Sequence, residues 1–106
     1  MLSSLLLRAA MSLDVPRDEV VAFAVYTHDR GTLKLTAQLF PLHPQEDRAV
    51  RLELRSDGGD WELAATEDVI DLGWSAHFRL EGWDNTRTVD YRVRHGDAAV
   101  IEGRIR

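Results

Sequence analysis

The sequence predicts an all-β domain, and three observations predict it. Five runs alternate apolar and polar residues with period two, turn-forming residues separate the runs roughly every 8–12 positions, and no segment sustains a 3.6-residue apolar period. About seven short strands at this spacing make the pattern of an immunoglobulin/fibronectin type III-like two-sheet sandwich of antiparallel strands.

Each run supplies an inward and an outward set. Thr32 to Phe40 places Leu33, Leu35, Ala37 and Leu39 on one side and Thr32, Lys34, Thr36 and Gln38 on the other. Ala49 to Arg55 turns Val50, Leu52 and Leu54 inward and Arg51, Glu53 and Arg55 outward. Trp74 to Glu81 sets Trp74, Ala76, Phe78 and Leu80 against Ser75, His77, Arg79 and Glu81. Thr88 to Arg94 sets Val89, Tyr91 and Val93 against Asp90, Arg92 and Arg94. In the last run Ala99, Ile101, Gly103 and Ile105 face inward.

Two further segments are less regular. Val20 to Tyr26 is apolar on both faces, which fits a strand covered on both sides or an edge strand. Trp61 to Ile70 starts as a strand, but Glu67 and Asp68 break its pattern. The opening segment reads as a short strand in preference to a turn of helix. Turns fall at Asp29-Arg30-Gly31, Pro41 to Asp47, Ser56 to Asp60, Gly82 to Arg87 and His95-Gly96-Asp97.

The chain has 106 residues, the size of one domain, and residues 1–106 are read as a single sandwich. A chain this long buries roughly two-thirds of its unfolded surface and needs no staples. Apolar residues make up 44% and charged residues 29%, against disorder. A net charge of −5 speaks against nucleic-acid binding. There is no Cys, which excludes disulfides, thiolate catalysis and Cys-based zinc sites. No stretch approaches the roughly 20 apolar residues of a membrane span. In MLSSLLLRAA the apolar run Leu5 to Leu7 is cut by Arg8, too short for a signal peptide, so the cytoplasm is the expected compartment.

No catalytic constellation emerges. The four histidines, His28, His43, His77 and His95, form no close metal-binding pair and read as solvated side chains in turns, at strand ends or on an outward face. No serine sits in a G-x-S-x-G elbow, and no glycine loop cradles a phosphate. The carboxylates Asp57, Asp60, Glu62, Glu67, Asp68 and Asp71 could hold Ca²⁺ but match no loop motif, so a solvated acidic edge is the preferred reading. The sequence therefore predicts no catalytic, metal or cofactor residue.

Three other features remain. Tyr91 stands where many such sandwiches place a tyrosine whose hydroxyl bonds backbone a few residues upstream. Trp83, with Asp84 and Arg87 in the same loop, could be exposed for contact with sugar or protein, or could plug the end of the sandwich. Of the 13 basic residues all but Lys34 are Arg. Arg51, Arg92, Arg94 and Arg104 fall out of step with inward sets, on strands that share a sheet in an immunoglobulin-like topology. They read either as a salt-bridged outer face or as a face that docks another domain.

The stretch Gly82-Trp83-Asp84-Asn85-Thr86-Arg87-Thr88-Val89-Asp90-Tyr91-Arg92-Val93, with Glu102-Gly103-Arg104-Ile105-Arg106, resembles the end of the N-terminal sandwich domain of bacterial metallophosphoesterases of the alkaline phosphatase D-like kind. In that family W-D-[DN]-T-R precedes a Y-R-V strand, and G-x-I-R leads into the phosphatase domain. The resemblance covers residues 80–106. It implies a non-catalytic accessory domain that supports or orients a following two-metal phosphoesterase domain, whose ligands match no residue here. The rival expectation is a stand-alone binding module for carbohydrate or a protein partner, working through the loops around Trp83 and Asp84.

Overall fold

The computed structural model describes residues 15–106. A 3-10 turn, Arg17–Glu19, precedes seven strands: β1 (Val21–Asp29), β2 (Thr32–Leu39), β3 (Ala49–Arg55), β4 (Glu62–Asp68), β5 (Ser75–Glu81), β6 (Val89–His95) and β7 (Ala99–Ile105). The expectation of an opening strand falls partly on residues 1–14, outside the described residues; beyond them the chain enters through the 3-10 turn.

The strands form two antiparallel sheets, three-stranded β1-β2-β5 and four-stranded β4-β3-β6-β7. This is an all-β sandwich. β3, β6 and β7 lie side by side, so the strands that carry the outward arginines share one sheet. The inward sets meet between the sheets: Leu33, Leu35, Ala37, Leu39, Ala76 and Phe78 from one, Val50, Leu52, Tyr91, Val93, Ala99 and Ile105 from the other. Alternation drives this, because in a strand every second side chain leaves the same face, and burying that face removes apolar area from water.

The first hairpin has a two-residue loop. Asp29 pairs with Thr32, and Arg30 and Gly31 both take positive φ (51° and 82°), the primed turn that matches strand twist.

Several details depart from expectation. β1 is an edge strand whose register shifts between Val21 and Phe23. Val21 is buried, while Phe23 and Val25 are 54% and 58% exposed, which explains an apolar run without alternation. β4 continues through Glu67 and Asp68, because an edge strand keeps its charged side chains in water. Trp74 belongs to the turn before β5, with φ +53°, and packs on the core from there. Its carbonyl accepts the Leu39 amide at 2.9 Å, and the Arg48 guanidinium lies 5.2 Å from its ring centre.

Tyr91 is buried in the core but makes no tyrosine corner. Among the described residues nothing bonds its hydroxyl. The ring instead lies across Gly103, its partner on β7: a Cβ built at Gly103 would stand 2.5 Å from Tyr91 Cε2. The ring fills the space a larger side chain would need, and Tyr26 meets it edge-on at 6.3 Å.

Candidate interaction surface

The outer face of the four-stranded sheet carries the arginines, and strand register sets their neighbours. One cross-strand row runs Arg55, Asp90, Arg104; the next runs Glu53, Arg92, Glu102; the third runs Arg51, Arg94, Val100. Charges alternate along the first two rows and along β3, so most guanidinium groups lie beside a carboxylate. Arg92 Nε donates to Glu53 at 2.7 Å, and Arg94 lies 3.6 Å from the same carboxylate. Asp90 accepts from Arg55 at 3.1 Å and from Arg104 at 3.0 Å. Arg51 donates to the Gly96 carbonyl.

These contacts show in the acids. The Arg92 hydrogen bond holds the Glu53 carboxyl below the usual range, against the burial that pushes it up, and the charges of Arg92, Arg94 and Arg51 add to the effect. Asp90 is lowered by its hydrogen bonds from Arg104 and Arg55.

Trp61 completes the array. The guanidinium carbons of Arg55 and Arg92 each lie 4.5 Å from its ring centre, within cation–π range. No periodicity marks this role, since Trp61 precedes β4 and belongs to no alternating set. The face thus brings together all four arginines singled out in the sequence. Arg92 and Arg94 are held at 22% and 29% side-chain exposure, and Arg104 stands out at 58%. Five guanidinium groups meet three carboxylates, a positive face on a chain of net charge −5.

A second feature occupies the end of the sandwich where β7 finishes. The Trp83 amide donates to the Gly31 carbonyl at 2.8 Å, and the half-buried indole packs on the core, so it serves as a plug. The Asp84 side chain turns back on its own loop, accepting the Thr86 hydroxyl at 2.6 Å and the Thr86 amide at 2.9 Å. The first of these bonds chiefly lowers its pKa, with the second adding. Arg87 reaches over to the Ser56 hydroxyl. Between the two loops lies a cleft of about 360 Å³, lined by Leu54, Asp60, Glu62, Trp83, Arg87 and Val89 among others. Nearby, β1 side chains hold the end of the chain. The Tyr26 hydroxyl accepts the Arg106 amide at 3.3 Å, and His28 Nε2 donates to the Arg106 carbonyl at 2.6 Å.

The remaining candidates do not converge. The acids of the 57–71 stretch spread along β4 and the turns at both its ends, with Asp71 beside Arg48 at 3.5 Å. Among the described residues no group of three or more His, Cys, Asp or Glu could hold a metal ion. His77 is exposed, as expected. His95, expected in solvent, is 5% exposed, with Nε2 donating to the Asp47 carbonyl at 2.7 Å. Its position ends the inward series Val89, Tyr91, Val93, so the strand's parity carries it into the interior. No described helix is long and apolar enough to cross a membrane.

Comparison with known protein families, with curated proteins and with solved structures finds no match.

Proposed function

We propose that this chain is a non-catalytic accessory sandwich domain of the immunoglobulin/fibronectin type III-like kind, which supports or orients a metallophosphoesterase catalytic domain in cis or in trans. Two things support the reading. One is the resemblance carried by residues 82–93 and 102–106. The other, the observation that carries most weight, is the geometry of β7. That strand ends at Ile105, the next residue, Arg106, is held by Tyr26 and His28, and Arg104 on the strand belongs to the guanidinium face. A domain attached at that end would meet a fixed exit direction and a positive face beside it. Arg suits such contacts because its planar fork makes paired hydrogen bonds and is weakly hydrated.

The test has two arms. The purified chain, assayed on phosphate monoesters and diesters with added Zn²⁺, Mn²⁺, Fe³⁺ or Ca²⁺, is expected to show no turnover, since a two-metal site needs several ligands converging on metals about 4 Å apart. Mixed with a metallophosphoesterase catalytic domain encoded beside it, the chain is expected to form a complex whose affinity falls as salt rises. Metal-dependent turnover by the chain itself overturns the reading, as does the lack of any association.

A further inference from the structure

We propose that two copies of this chain pair through β1, antiparallel about a two-fold axis at Val25, and so join their three-stranded sheets into one of six strands. The contact is separate from the guanidinium face, which lies on the other sheet.

A sheet edge presents unpaired backbone groups, and folded proteins blunt it with charged side chains. The four edges here differ in that respect. β4 carries Glu62, Glu67 and Asp68, β5 carries Arg79 and Glu81, and β7 carries Glu102 and Arg104. β1 has no Asp, Glu, Lys or Arg from Val21 to Thr27, and Asp29 stands at its very end. Its backbone is open as well. Asp29 and Thr32 close a two-residue hairpin and so exchange bonds with each other. By alternation Thr27 and Val25 also bond to β2, while Ala24, Tyr26 and His28 turn their amides and carbonyls to the free side. Among the described residues no backbone bond meets them there. Phe23 and Val25 leave the outer face, 54% and 58% exposed, and on β2 they lie opposite Gln38 and Thr36. Neither has an apolar neighbour across the strand pair.

A second copy fits this edge by charge and by pattern. With the axis at Val25, the centre of the strand, Val25 meets the partner's Val25 and Phe23 meets the partner's Thr27. The partner's Val25 is then diagonal to Phe23, within reach of an aromatic ring. Two phenylalanines and two valines form one apolar strip, and the same surface serves both copies. No like charges come opposite each other, since Asp29 falls beside the partner's Val21. Two copies joined at any of the other three edges would bring charged side chains along the seam. Size sets the strength. Nine residues a side fall short of the roughly 20–30 of a stable interface, so the dimer is a weak one, with a Kd on the order of 0.1 mM.

The test is sedimentation equilibrium of the full 106-residue chain from about 10 μM to about 1 mM, with amide hydrogen exchange read by nuclear magnetic resonance over the same range. The dimer is expected to grow with concentration, and the Ala24, Tyr26 and His28 amides to gain protection with it. Added salt should leave the dimer intact or strengthen it, because each copy carries −5 and the contact holds no ion pair. Val25→Lys sets two like charges opposite each other, and Phe23→Ser removes the ends of the strip. Both positions are exposed, so each variant is expected to keep the spectrum of a folded protein and to weaken association at least about tenfold. Leu72→Lys, at a position 90% exposed outside β1, is expected to leave the dimer as it is. A chain still monomeric at about 1 mM overturns the proposal. So does protection of the three amides that is equal at every concentration, which would mean an edge covered within one chain. A dimer that salt dissolves, that survives both β1 substitutions, or that Leu72→Lys removes overturns it too.

Discussion

Gly103 and Tyr91 show how one missing side chain organises a core. Tyr91 occupies the volume above Gly103 that a Cβ would take, so Gly103→Ala forces the ring or the strand to move. Overpacking of this kind costs about 1–3 kcal/mol, and a chemical melt is expected to show it. Because nothing among the described residues bonds the Tyr91 hydroxyl, Tyr91→Phe is expected to lie within about 0.5 kcal/mol of the parent. A tyrosine corner would have cost more, since it buries a hydrogen-bonded hydroxyl. The Glu53–Arg92 contact carries a pH dependence. The Glu53 carboxyl is held below its unfolded value, so its contribution is present above the unfolded pKa and fades as pH falls through the lower folded value. Stability is therefore expected to drop below about pH 4, and Glu53→Gln should flatten that limb. Arg92→Ala removes both the ion pair and the contact with Trp61, for about 1–2 kcal/mol.

Strands were the most legible level, and particular ones show why. β2, β3, β5 and β6 each bury one face and wet the other, so period two marks them and names their inward residues correctly, Leu35 and Phe78 among them. These two are cross-strand partners, 1% and 3% exposed, and replacing either with Ala is expected to cost about 2–5 kcal/mol in a denaturant melt, through lost burial and a residual cavity. Strands with an irregular register were harder, whereas the edge strands β5 and β7 pair without a shift. β1 and β4 each lack a neighbour on one side, their registers shift, and alternation fails at Phe23 and at Glu67. Trp74 was read correctly as facing the core but was placed in the strand, because its one-in-two phase with Ala76 is also produced by a turn residue folding inward with positive φ. The guanidinium face was legible from parity, but its third dimension was not. Trp61 sits over Arg55 and Arg92 through a turn whose path no local pattern encodes, and the cleft beside Trp83 arises where two loops distant in sequence meet.

At the scale of the molecule, charge is divided. The face of β3, β6 and β7 is positive, while β4 and its flanking turns hold the carboxylates of the 57–71 stretch. A partner bearing acidic groups is steered to the former and away from the latter. Which arginine tests docking follows from how each is held. Arg92 and Arg94 are mostly covered and share Glu53, so changing both to Ser disturbs the sandwich as well as any contact and is expected to lower the melting temperature. Arg104 differs. Its side chain is 58% exposed, its bond is to Asp90, and Asp90 keeps Arg55 if Arg104 is lost. Exposed pairs contribute about 0–1 kcal/mol, so Arg104→Ser should barely move the melting temperature of the isolated domain. In a protein that joins this chain to a metallophosphoesterase domain, the same change removes a protruding donor from the proposed contact. The linker should then be cut faster by a protease, because cleavage tracks the fraction of time the domains stand apart. Equal cleavage rates in parent and variant would remove Arg104 from the interface, and salt that fails to speed cleavage of the parent would remove the whole guanidinium face.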